Sequence, residues 1–456
     1  MKLIIISNRL PLKIVEGENK QHEVIPSPGG LSTGLDSLET SYEKHWIGWP
    51  GMYLEDEAEK EEIDSQLAEH NYTPVYLTPE QIENYYEGYS NSVLWPLCHY
   101  FLNYVEYNCD YWQAYKEVNQ LFCDAALEII EPGDIVWVQD YQLMLLPKMI
   151  RDKMPEVSIG YFHHIPFPSY ELFRSLPERA ELLEGLLGAD LVAFHTHSYM
   201  RHFISAVYRV LNLDCNLDEI QVGDRVVDVD AFPMGINYEM YHNAISDENI
   251  GKKAKELRQS FGHAKLMLSV DRLDYSKGIP TRLQSFEHFL EYNPEYRGKV
   301  SLVMIVAPSR DTVEIYSQLK NEIDQRVGAI NGKYSTVDWT PVYYFYHSFQ
   351  FEELAALYQI SDIALVTPLR DGMNLVAKEY LAVKDEHPGV LILSEMAGAS
   401  IELTDALIVN PTDIQEIEDA MIQALEMPLD EQEERLSSMQ EIISTQTVNQ
   451  WAKDFV

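Results

Sequence analysis

The chain has 456 residues, with 73 acidic against 34 basic side chains and a formal net charge of −39. So acidic a surface excludes nucleic acid or an anionic membrane as the natural partner, because both are bound by pairing phosphates with Lys and Arg. A hydrophobic fraction of 46% and an aromatic fraction of 11% exclude a disordered or fibrous chain. The length is about three times a ~150-residue domain, so two sizeable units are expected.

The acidic runs EDEAEKEEID and PLDEQEERL read as solvated helix faces, with adaptation to a salt-rich cytoplasm as the competing reading. Cys98, Cys109, Cys123 and Cys215 contain no C-x-x-C pair, which points to reduced thiols rather than a disulfide framework or a zinc site. MKLIIISNRLP offers only four apolar residues between Lys2 and Ser7, too few for a secretory leader or a membrane span, and a cytoplasmic protein is expected.

In chain order, the short apolar runs are KLIIIS, DIVWVQD, VSIGYFHH, DLVAFH, KLMLSVD, VSLVMIVAP, DIALVTP and GVLILSE, separated by longer amphipathic segments. Such alternation predicts buried parallel strands with crossover helices, an α/β chain. Ligands of open parallel sheets bind at the strands' carboxyl ends, so the polar tails of these runs are the candidate site.

The first tail, SNRLP, ends on the cation Arg9 and is followed by PSPGGLSTGL, where Gly29 and Gly30 let backbone amides approach an anion at a helix start; a plain turn is the competing reading. NYYEGYSNSVLWPLCHY is dense in aromatic residues without helical spacing, which suits the C–H faces and hydroxyls of a sugar or, equally, an aromatic core patch. Asp140 follows one strand and His163 and His164 another, so the acid can fix sugar hydroxyls and one histidine can donate to a hydroxyl or a developing charge, the other being buried and satisfied.

FPMGIN closes a strand with Pro and Gly, which sets a boundary between residues 1–236 and 237–456. Beyond it, SVDRLDYSKG carries Arg272 and Lys277, two cations able to clamp a pyrophosphate and neutralise it as it leaves without a metal. The D-x-D of Asp228 and Asp230 reads as a strand with one exposed face. APSR places Arg310 at another strand end. In TPLRDGMNLVAKEY, Asp371 to Asn374 form a loop and a helix starts at Leu375, whose unbonded amides suit an anion; Asp371 and Glu379 can accept from sugar and ribose hydroxyls. In isolation this stretch also reads as a turn and an acidic helix start.

Together SNRLP, PGGLSTGL, WIGWPG, YSNSVLWPLCHY, HHIPFP, FPMGIN, RLDYSKG, INGKYSTVDWTP and TPLRDGMNLVAKEY resemble, in order and over nearly the whole chain, the trehalose-6-phosphate synthases, retaining glycosyltransferases of family 20. The resemblance implies the GT-B fold, two facing Rossmann-like domains with the active site in the cleft between them, the last helix packing back on the first domain. It implies transfer of glucose from UDP-glucose to glucose 6-phosphate, giving α,α-trehalose 6-phosphate and UDP, with no cofactor and no metal. Arg9 and Arg310 would hold the acceptor phosphate, Asp140 a sugar hydroxyl, with Tyr86, Trp49 and Trp95 beside them. Gly29, Gly30, Arg272, Lys277, Phe349, Asp371, Gly372, Met373, Asn374, Leu375, Val376, Ala377, Lys378 and Glu379 would bind the donor, and His164 would meet the donor glucose near the reacting carbon. Arg272, Lys277, His164 and Asp371 are thus the candidate catalytic set. The family's usual account of retention is a front-face, internal-return route in which the leaving phosphate oxygen takes the acceptor's proton.

One departure is QDYQL, where the family commonly has HDYHL: Gln139 and Gln142 hydrogen-bond but do not titrate near neutrality, which bears on pH profile and acceptor fit. A homo-oligomer and a separate phosphatase acting on the product are expected. The alternatives are a transferase using glycerol 3-phosphate or a GDP- or ADP-glucose donor, and a non-catalytic sugar-phosphate sensor. A dinucleotide oxidoreductase is disfavoured by the lack of G-x-G-x-x-G.

Overall fold

The first strand, β1 (Lys2–Arg9), is buried without interruption from Leu3 to Asn8, as a central parallel strand covered on both faces must be. It belongs to a computed structural model that describes residues 1–17, 21–27, 35, 41–310 and 313–456. The described chain divides into two units, residues 1–234 with 448–456, and residues 235–447. The connection thus falls two residues before the boundary expected from FPMGIN, and the last nine residues belong to the first unit.

In the first unit, β1 is joined by β2 (Glu43–Trp49), β3 (Tyr72–Pro74), β4 (Ile135–Gln139), β5 (Ser158–His163), β6 (Leu191–Phe194), β7 (Cys215–Asn216), β8 (Glu219–Val222) and β9 (Arg225–Ala231). Their spatial order is β3-β2-β1-β4-β5-β6-β9-β8-β7. The first six follow the 3-2-1-4-5-6 order of a Rossmann sheet. Asp228 and Asp230 lie on the exposed face of β9, alternating with buried Val227 and Val229. The closing helix Val448–Phe455 covers this sheet: Phe455 stacks on Trp137 at 4.4 Å, and Trp451 donates through Nε1 to the Phe232 carbonyl at 3.0 Å.

The second unit holds β10 (Lys265–Arg272), β11 (Val300–Ala307), β12 (Val342–Phe345), β13 (Ile363–Val366), β14 (Val390–Ser394) and β15 (Leu407–Val409). Their order, β12-β11-β10-β13-β14-β15, is again 3-2-1-4-5-6, and every pairing is parallel. Its core, including Leu266, Leu268, Val303, Ile305, Ala364, Leu391, Ala377, Tyr380 and Leu381, joins β10, β11, β13 and β14 to the helix Leu375–Val383.

Within these 3-2-1-4-5-6 runs of parallel strands the order of winding reverses between β1 and β4 in the first unit and between β10 and β13 in the second. Such switch points open a crevice at the strands' carboxyl ends. No helix among the described residues is long and apolar enough to cross a membrane.

Candidate active site

At the switch point of the first unit, the pairing of β1 with β2 slips between Ile6 and Arg9, which brings Arg9 opposite Trp49. Ser7 and Asn8 brace the slip from inside. Ser7 Oγ accepts from Trp46 Nε1 and donates to the Arg9 carbonyl, both at 2.7 Å, and Asn8 Oδ1 accepts from the Tyr85 hydroxyl at 2.6 Å. Of the SNR tail only Arg9 is exposed. Its guanidinium carbon lies 5.5 Å from the Trp49 ring centre, and Trp49 meets Tyr86 at 5.6 Å. Gly51, at φ +94°, leaves the space the guanidinium fills, since a Cβ there would stand 2.1 Å from Arg9 Nη2. The Trp49 indole N–H is buried and has no partner among the described residues, so a ligand oxygen is its natural acceptor.

The aromatic stretch divides between the two readings. Ile82–Leu94 is a π-helix, so its faces repeat at a longer interval than the α-helical one sought in the sequence. Tyr85 and Tyr89 point inward onto Tyr115, at 5.9 and 4.8 Å, and are core. Tyr86 turns the other way, to Trp49. Trp95 is buried against His99 and Tyr141, with ring centres 4.1 and 5.8 Å away.

Asp140, at the end of β4, has φ +74°, a strained conformation of the kind that gathers at functional sites. Its Oδ1 accepts from the His164 amide at 3.0 Å, yet burial outweighs the amide bonds and pushes its carboxyl up to about 7. His164 Nε2 faces Gln139 Oε1 at 2.7 Å. A carboxamide oxygen only accepts, so that ring nitrogen carries the proton and Nδ1 is left as the acceptor. Burial, with His195 beside it, drives His164 well below the usual imidazole range, so the ring is neutral. His163 is the core histidine of the pair: fully buried, its Nδ1 bonded to the Tyr161 hydroxyl at 2.8 Å but its Nε2 unsatisfied among the described residues, and pulled by burial down to about 3.

In the second unit, two loops close on each other at the switch point. The Ser276 carbonyl accepts from the amides of Leu369 and Arg370 at 2.8 and 3.2 Å, and Gly278, at φ +68°, packs where a Cβ would lie 2.6 Å from the Thr367 carbonyl. Lys277 Nζ meets Asp371 Oδ2 at 2.5 Å, across 94 residues of sequence. Asn374 Nδ2 reaches the same oxygen at 3.2 Å, while Asn374 Oδ1 caps the helix Leu375–Val383 on the Ala377 amide. Leu375 and Val376 supply first-turn amides that lie ahead of any intrahelical bond. Arg272 is exposed at the end of β10. Arg310, at φ +48°, donates through Nη1 to the Tyr316 hydroxyl at 3.1 Å, which donates to Asp274 Oδ2 at 3.0 Å; Asp274 in turn accepts from the Ser276 amide. This chain ties Arg310 to the loop that carries Lys277.

Not every residue expected at the donor reaches it by its side chain. Lys378 is buried and paired to Glu402 at 2.7 Å, and the side chains of Met373 and Ala377 belong to the core, so these positions and Gly372 can offer a ligand only backbone. Glu379 is held by the hydroxyls of Tyr358, at 2.8 Å, and Tyr241, and burial raises its carboxyl. Phe349 is half-buried and stacks on His347 at 4.7 Å. Gly29 and Gly30 lie outside the described residues. The sequence reading missed Asp274, Tyr316 and Arg282. Arg282 left a signal, a lone cation on the apolar stripe Ile279, Leu283, Phe286 and Leu290 of IPTRLQSFEHFL.

Comparison with known proteins adds to this geometry. The pattern of glycosyltransferase family 20 matches residues 1–456. Over the whole chain the sequence is 43% identical to the bifunctional trehalose-6-phosphate synthase/phosphatase of Thermoproteus tenax, of which it spans 63%. It is 42% identical to the 56 kDa subunit of the UDP-forming alpha,alpha-trehalose-phosphate synthase of Saccharomyces cerevisiae, of which it spans 93%. A solved UDP-forming synthase from Burkholderia xenovorans in complex with glucose-6-phosphate superimposes with a TM-score of 0.89 at 32% identity, covering 100% of this chain and 99% of that one. A structure from E. coli bound with UDP-2-fluoro glucose gives 0.89 at 33%, covering 100% and 98%.

Proposed function

The chain belongs to glycosyltransferase family 20, and from that premise we propose that it moves glucose from UDP-glucose to glucose 6-phosphate with retention, releasing UDP and α,α-trehalose 6-phosphate. Its two Rossmann-like units are those of a GT-B glycosyltransferase. The observation that carries the reading is the meeting of Lys277 with Asp371 beside a helix start, because it gathers a cation, a sugar-hydroxyl acceptor and free amides at the switch point of one sheet. A pyrophosphate-linked sugar needs all three.

In this reading the bond from the glucose anomeric carbon to the pyrophosphate oxygen breaks and a bond to the acceptor's anomeric hydroxyl forms on the same face. The hydroxyl proton passes to the departing phosphate oxygen. Arg272 and Lys277 stabilise the charge on that oxygen, Asp371 fixes glucose hydroxyls, and neutral His164, its Nε2 proton held by Gln139, accepts at the sugar through Nδ1 without taking a charge. Glu379, oriented by its two tyrosines, accepts from the ribose. Arg9 and Arg310 take the acceptor phosphate, and Asp140, Tyr86 and Trp49 its sugar. Two anionic substrates meeting a chain of net charge −39 make these focused cations the condition for binding.

The test is direct: incubate pure protein with UDP-, GDP- or ADP-glucose and glucose 6-phosphate or glycerol 3-phosphate, follow nucleotide release, and identify the product. Release of UDP with formation of the α,α-linked disaccharide phosphate is expected. Absence of turnover with every pair, alongside measurable binding of glucose 6-phosphate, would establish a sensor instead.

A further inference from the structure

We propose that Arg282 is a positioning residue of the donor site, one guanidinium that sets the relative placement of the three segments bearing Arg272, Lys277 and Asp371; the proposal rests on the donor reading above. Arg282 has 0% of its surface exposed, on the helix Ile279–Tyr292. Its Nη1 donates to the Asp271 carboxylate and the Ser269 hydroxyl, at the end of β10 just before Arg272. Its Nη2 donates to the Lys277 carbonyl at 3.0 Å, and its Nε to Thr367 Oγ1 at 2.9 Å, four residues before Asp371. Every nitrogen of the fork is therefore committed, and the partners lie on three separate stretches of chain.

Stability alone does not account for this residue. The stripe it occupies is otherwise apolar, and replacing a buried ion pair by hydrophobic groups of similar volume is often neutral or stabilising. What the planar fork supplies is geometry, with donors at fixed angles to one another. Because Asp271 carries the compensating charge, Arg282 adds no net attraction for a pyrophosphate. It acts on where Lys277 and Asp371 stand, and small displacements of such groups are costly in rate.

Three variants test this, each measured for thermal midpoint, UDP affinity by calorimetry, and KM and kcat for both substrates. Arg282→Lys keeps the charge beside Asp271 but loses the fork. It is expected to raise donor KM and the UDP Kd about tenfold and lower kcat about tenfold, with acceptor KM within about twofold. Thr367→Val removes one partner from a fold otherwise intact and should move the same donor constants about threefold. The paired change Arg282→Met with Asp271→Leu removes the buried charges together and should keep the thermal midpoint while still impairing the donor constants. The proposal is overturned if these proteins, whatever their thermal midpoints, show native donor KM and native UDP affinity. If the unaltered protein transfers from a different nucleotide sugar, the functional reading fails, and the same comparison on that nucleotide still decides the role of Arg282.

Discussion

Both units carry the same strand order and present their polar residues at the same topological place, yet they treat charge in opposite ways. In the first, burial pushes Asp140 up and His164 down, toward neutral forms, and aromatic rings line the approach to Arg9. In the second, ion pairs stand at the sheet edge, Lys277 with Asp371 and Arg282 with Asp271, although burial raises Glu379 there as it does Asp140. The contrast matches two recognition problems. Sugar hydroxyls are read by directional hydrogen bonds, whereas a pyrophosphate needs cations, and cations near a low-dielectric sheet edge need partners until the ligand arrives.

The contrast can be broken most severely at Lys277. Lys277→Ala should lower kcat about a hundredfold, roughly 3 kcal/mol of barrier, as loss of one stabiliser of a developing charge does. Near-normal turnover at saturating UDP-glucose would remove Lys277 from the chemistry.

Asp140→Asn comes next, with about a tenfold rise in the KM for glucose 6-phosphate at pH 8, where the native carboxyl is ionised and makes the stronger, charge-assisted bond. With a native value of about 7, the unaltered enzyme's acceptor KM should fall further between pH 6 and 8 than that of the Asn variant, which keeps only the change due to the substrate phosphate's own second ionisation at about 6. Stability has a definite sign as well. The native carboxyl holds its proton above the unfolded value of about 3.9, so Asp140's contribution is full below about pH 4 and is lost as pH rises toward 7. His163, drawn down to about 3, has the opposite effect, costing stability as pH falls below about 6.5. Denaturant titrations of Asp140→Asn across pH 4 to 8 should lose the first slope alone, and an unchanged slope would show that Asp140 titrates normally.

Trp49→Leu should raise the KM for glucose 6-phosphate about threefold, since it removes the ring beside Arg9 and an indole N–H that has no partner among the described residues. An effect on the donor KM instead would contradict its place on the acceptor side. The smallest effect is that of salt: moderate ionic strength should raise turnover about twofold by screening a chain of net charge −39 from its anionic substrates. A steep monotonic loss would mean that the focused cations dominate at long range.

The strands were legible because parallel strands buried on both faces, such as KLIIIS and VSLVMIVAP, leave unbroken apolar runs. The tails of those runs gave Arg9, Asp140, Arg272 and Asp371 their places at the sheet edges. β2 escaped because Gly48 and His45 interrupt the run in EKHWIGW. Tyr85 and Tyr86 could not be told apart as core and surface because a π-helix shifts which neighbours share a face. Lys378 looked available in sequence, and only the fold brings Glu402 to it. Arg282 and Tyr316 work through partners 85 and 42 residues away, a distance no local motif encodes.

The division of labour between the units is tested most directly by measuring both ligands against one variant from each. Calorimetry of UDP and of glucose 6-phosphate with Lys277→Ala and with Asp140→Asn should show UDP affinity weakened only in the first and glucose 6-phosphate affinity weakened only in the second. Loss of UDP binding in Asp140→Asn, with native UDP binding in Lys277→Ala, would contradict it.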